Sequence, residues 1–116
     1  MLNLKQTSLS RCFEGLFVFD TTNTGASDYI AIPADTDKLS VSLKVLSTCV
    51  AKVQYTITPS DSLASADWID WDAGTTTGGV TIADSTTGPV SAIRLYVDTA
   101  LAGNQATIAI KTIGGI

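Results

Sequence analysis

The residues best suited to chemistry lie together in Ala66-Asp67-Trp68-Ile69-Asp70-Trp71-Asp72-Ala73-Gly74, where three carboxylates sit beside two indoles. Oxygen-rich loops of that composition hold calcium. An aromatic platform flanked by carboxylates can also pack on a sugar ring and hydrogen-bond its hydroxyls. The spacing of an EF-hand is absent, and no glutamate follows, since the chain's one glutamate is Glu14. Read as a strand, the segment sends Trp68, Asp70 and Asp72 to one face and Ile69, Trp71 and Ala73 to the other. Trp71 is then a core anchor, and the aspartates form a charged edge that discourages further strand pairing. A second distinctive stretch, Gly88-Pro89-Val90-Ser91-Ala92-Ile93-Arg94-Leu95, is a turn feeding a strand on which Arg94 faces away from Ile93 and Leu95. Arg94 is expected to pair with Asp70 or Asp72 across strands; its alternative role is to anchor a partner, as arginine does at interfaces. The candidate partner or glycan contacts are Trp68, Asp67, Asp70, Asp72 and Arg94. No metal and no cofactor is expected there.

Catalysis has little to build on. The chain lacks histidine, the commonest general base and transition-metal ligand. It has no G-x-S-x-G, no P-loop and no dinucleotide fingerprint, and Gly78-Gly79 lacks the lysine a P-loop needs. Asp20, Asp28, Asp35 and Asp37 are spaced as turn residues that bond their own backbone. The expectation is a protein that is not an enzyme. A net charge of −4 and a pI near 4.4 argue against nucleic acid as a partner. The lack of a long uncharged apolar run argues against a membrane span. The opening MLNLKQTSLSRCF is too interrupted by polar residues for a signal peptide, so folding in a host cytoplasm is expected, with Cys12 and Cys49 as isolated thiols.

The elements that must position these residues read as β throughout. Leu39-Ser40-Val41-Ser42-Leu43-Lys44-Val45 alternates without a fault, the pattern of a half-buried strand. Cys49, Ala51, Val53, Tyr55 and Ile57 alternate likewise, and the Leu46–Ser47–Thr48 step between the two runs predicts a hairpin. Ile93, Leu95 and Val97 mark a third strand; Ala106, Ile108 and Ile110 mark a fourth. Less regular strands are predicted at Gly15–Phe19 and Asp28–Ile32. Turn signals fall at Asn23-Thr24-Gly25, Ala34–Asp37, Gly74–Gly79, Gly88-Pro89 and Gly103-Asn104. A helical turn is predicted over Pro59–Ala66, with Ser60 as its cap.

With 116 residues, the chain fits one domain. Residues 1–12 are polar and without period, and read as an extended N-terminal arm. Residues 13–116 read as a single antiparallel β-sandwich or jelly-roll-like barrel with short loops and little helix.

From Leu39 onward the order of features resembles small β-sandwich virion proteins of tailed bacteriophages. The resemblance rests on Val50-Ala51-Lys52-Val53-Gln54-Tyr55-Thr56, the serine-rich loop, the Asp67–Gly74 segment, and the Gly88–Leu95 strand. It implies a capsid decoration or cement protein that binds the outer surface of the head and stabilises it. The implied partners are the major capsid protein and further copies of this chain, and the implied location is the virion. A neck or tail component, and a carbohydrate-binding module of a tail or fibre, are the alternatives. The polar faces are mostly serine, threonine and alanine, with few lysines to guard strand edges, so they are cheap to desolvate against a neighbour.

Overall fold

The computed structural model describes residues 2–6, 12–33, 36–46, 48–77, 81–87 and 90–114. Its strands are β1 (Leu2–Asn3), β2 (Lys5–Gln6), β3 (Cys12–Phe19), β4 (Gly25–Ala26), β5 (Ile30–Ala31), β6 (Thr36–Val45), β7 (Val50–Thr56), β8 (Ile69–Thr77), β9 (Thr81–Thr87), β10 (Ala92–Thr99) and β11 (Ala106–Gly114). One sheet runs β1-β5-β10-β7-β8, with β4 also on β10; the other runs β2-β3-β11-β6-β9. Every pairing is antiparallel except the two-residue contact of β1 with β5. The fold is an all-β sandwich.

Alternation builds the core. Leu39, Val41, Leu43 and Val45 of β6, with Ala106, Ile108 and Ile110 of β11, point inward from one sheet. Ala51 and Val53 of β7, with Ile93, Leu95 and Val97 of β10, meet them from the other. Each fully buried aliphatic side chain contributes about 1.5–3 kcal/mol. Trp71 is buried, and its ring meets Tyr55 edge-on, with centroids 5.5 Å apart at 78°. Cys12 and Cys49 are both free thiols, Cys49 fully buried.

Several expectations need correction. The Leu46–Thr48 step is not a hairpin: β6 and β7 belong to different sheets, so the chain arches over the core between them. Both sides of β6 are taken by β11 and β9 along its length, which leaves no edge for β7. The nested pairing of β6 with β9 around β7 with β8 follows from that arch. Gly74–Thr77, expected as loop, continues β8; Gly78 and Gly79 lie outside the described residues. Thr36 and Asp37, expected in a turn, begin β6, whereas Ala34, Asp35, Gly88 and Pro89 lie outside the described residues. The strand expected over Asp28–Ile32 is only Ile30–Ala31. The helical turn is a 3-10 segment, Ser60–Ser65, with Pro59 at its cap position and no side-chain cap bond.

Over residues 2–6 the N-terminal segment crosses the side of the sandwich. Leu2 and Asn3 pair with Ile30 and Ala31 in one sheet, and Lys5 and Gln6 pair with Glu14 and Phe13 in the other. Gly15 lies under this crossing, where an added Cβ would come 2.6 Å from Phe17 Cε2 and 3.0 Å from Leu4 Cδ2. At one end of the block, fully buried Thr21 ties two loops together. Its hydroxyl lies 2.8 Å from the Leu101 carbonyl and 3.1 Å from that of Gly103, and accepts the Gln105 N–H at 3.3 Å. Gly103 takes a φ of 99°, which its lack of a Cβ permits.

Candidate functional site

The outward positions of β10, β7 and β8 carry the long polar side chains of the first sheet. Register sets Arg94 opposite Gln54, and Gln54 opposite Asp70. Directly opposed residues share a face, and a continuous chain of contacts results. Arg94 Nε donates to Gln54 Oε1 at 2.8 Å, and Gln54 Nε2 donates to Asp70 Oδ1 at 2.9 Å. Lys52 Nζ then donates to Asp70 Oδ2 at 3.1 Å and lies 3.7 Å from Asp98 Oδ1. The Lys52 ammonium also stands 5.2 Å from the centre of the Tyr96 ring.

Aromatic rings close the other end. The Arg94 guanidinium lies over the Trp68 indole, 4.4 Å from its centroid, and Tyr29 packs at 6.4 Å from the same indole. A cation over an aromatic face is worth roughly 0.5–2 kcal/mol, more as water is excluded. Gln54 is only 8% exposed, yet both ends of its amide are satisfied, the condition on which a buried polar group is tolerated.

The electrostatics follow the contacts. The Gln54 amide first, and then Lys52, hold the Asp70 carboxyl below the usual carboxylate range. Asp70 in turn raises the Lys52 ammonium above its ordinary value. Burial draws Arg94 down from its usual value.

The structure brings Trp68, Asp70 and Arg94 into one patch. It corrects the expected Arg94–Asp70 pair: Gln54 stands between them, takes the arginine on its carbonyl, and presents its amide to the carboxylate. Asp67 is exposed just before β8, and its backbone N–H donates to Thr58 Oγ1 at 3.3 Å. The side chain of Asp72 lies outside the described residues. Gln54 and Lys52 were missed in the sequence, although both occupy outward positions of a strand whose alternation is plain. Among the described residues, no three cysteine, aspartate or glutamate side chains gather as a metal centre would need. The arrangement is a polar ladder in which Lys52 pairs with Asp70 and Arg94 is held by Gln54 and the Trp68 indole.

No family model matches the chain, and no curated protein matches it in sequence. In fold it is similar to a chain of the acidic stable capsid structure of Helicobacter pylori bacteriophage KHP30, with 16% identity and a TM-score of 0.61, covering 91% of this chain and 90% of that one. It is also similar to the SPBc2 prophage-derived protein YomS, with 11% identity and a TM-score of 0.50, covering 94% of this chain and 100% of that one. At such identities the likeness is one of fold.

Proposed function

We propose that this chain is a structural protein of a phage particle, a decoration or cement subunit seated on the outside of the head. The observation that carries the reading is the fold shared with a phage capsid chain across nine tenths of both chains. A protein in that role needs a stiff block and a surface that buries well against neighbours, rather than a reaction centre. The sandwich supplies the first, and its second sheet offers the second, with Leu16 and Val18 standing 70% and 57% exposed. Its partners on this reading are the major capsid protein and further copies of itself, and the role is not enzymatic. The alternative use of Trp68 as a sugar platform is disfavoured by the Arg94 guanidinium that already covers the indole.

The test is co-sedimentation of the purified protein with particles lacking it, followed by heating and osmotic shock. The expected result is saturable binding to heads and rupture at a higher temperature than for bare particles. Binding to tails alone, or to glycans while heads are ignored, would overturn the proposal.

A further inference from the structure

The outward face of the second sheet differs in composition from that of the first. Its register lays Lys5, Glu14, Lys111 and Ser40 in one row. Leu16, Ala109 and Ser42 form the next row, and Val18, Thr107 and Lys44 the one after. At the opposite end Ile113 lies beside Lys38. Short side chains thus pave the middle of the face, and Leu16, Val18 and Ile113 stand out from it at 70%, 57% and 56% exposure.

Charge on this face runs against the chain as a whole. The protein carries −4 net. These rows nevertheless hold Lys5, Lys38, Lys44 and Lys111, all exposed, with Glu14 as their one acid among the described residues. Beside β3, a groove of about 630 Å³ runs between the N-terminal crossing and the sheet, with Lys5 and Lys111 along it and Leu16 and Phe17 in its wall. Beyond Glu14, β3 has no strand on its outer side among the described residues. An exposed apolar edge of this kind is ordinarily blunted by lysine, proline or a bulge, and Gly15–Phe19 has none of these.

We infer that this face docks against a flat, acidic protein surface, which on the function proposed above is the outer surface of the shell. Exposed apolar groups rimmed by polar and charged residues follow the apolar-core, polar-rim layout of a protein interface. The lysines select an acidic partner and speed its capture. Nucleic acid fits poorly, because these rows offer no arginine and no aromatic ring on which bases could stack.

The inference rests on the head-binding reading, and one binding series separates the two. Wild-type protein, Leu16→Asp, the double variant K44E/K111E and, on the opposite sheet, Lys52→Gln are titrated onto particles lacking the protein, after their melting curves establish folding. Wild-type binding should weaken as sodium chloride rises. Leu16→Asp and K44E/K111E should each lose about tenfold or more in affinity, as changes at interface anchors do, with Lys52→Gln unchanged. Should wild type bind while both face variants bind equally well, or should Lys52→Gln be the one that fails, the docking face is wrong and the head-binding reading stands. Failure of wild type to bind heads overturns both. Preferential binding to a DNA duplex, or self-association that Leu16→Asp abolishes, would also overturn the acidic-shell partner.

Discussion

The two outward faces of the sandwich solve opposite problems. On the first sheet, long side chains reach across three strands and satisfy one another: Trp68, Arg94, Gln54, Asp70 and Lys52 form one ladder. On the second, serine, threonine and alanine leave the sheet bare, with lysines spread over it and Leu16 and Val18 in water. A face whose polar groups are already paired gains little from a partner, since docking would have to replace bonds it already has. A bare face with protruding apolar groups gains apolar burial at small desolvation cost. On the docking proposal, the first surface serves stability and the second association.

The largest expected effect lies beneath both faces. Trp71→Ala should destabilise the fold by about 3–5 kcal/mol, because the indole is buried against Tyr55 and its removal leaves a cavity. Denaturant unfolding measures this. A loss below that of Trp68→Ala, which removes a half-buried ring, would reverse the two sides of the strand.

Next comes the ladder. Gln54→Ala removes the acceptor of Arg94 Nε and one of the two donors to Asp70, Lys52 keeping the other, so a loss of about 1 kcal/mol is expected in the same unfolding assay. A neutral outcome would show that the ladder is decorative and that the two outward faces do not differ in the way described. On the other sheet, Leu16→Asp should change folding stability by no more than about 0.5 kcal/mol, as surface substitutions usually do, because Leu16 is 70% exposed. A large loss there would mean that the side chain serves the fold and is not held ready for a partner.

The smallest effect is one of pH. The Asp70 carboxyl is held below its ordinary range, so the folded state keeps it ionised where the unfolded chain would protonate it. Its contribution is therefore complete above the ordinary carboxylate range and disappears as pH falls through the lowered value. Carbon-detected NMR should show Asp70 titrating at lower pH than a free aspartate, and Gln54→Ala should move it back upward. An unshifted Asp70 would remove the electrostatic part of the ladder.

Much of this architecture is legible in the amino-acid order, and what is not has a physical reason. β6, β7, β10 and β11 stand out because large aliphatic residues alternate with polar ones. β9 does not, since Thr81–Thr87 carries a single large aliphatic residue, Ile82, among threonine, alanine, aspartate and serine, and only its ladder with β6 makes it a strand. The arch at Leu46–Thr48 looks like a hairpin because alternation reports which face is buried and not which sheet a strand joins. Trp68, Asp70 and Arg94 could be picked out by type. That Gln54 lies between Arg94 and Asp70 depends on the register of three strands, which no single strand's sequence encodes.

A cryo-electron microscopy map of heads saturated with this protein tests the division between the two faces most directly. The sheet containing β3, β11 and β6 should lie against the shell, with Leu16, Val18 and Lys44 at the contact and the Arg94–Gln54–Asp70 ladder facing away. A map with the ladder pressed to the shell and Leu16 in solvent would contradict the account.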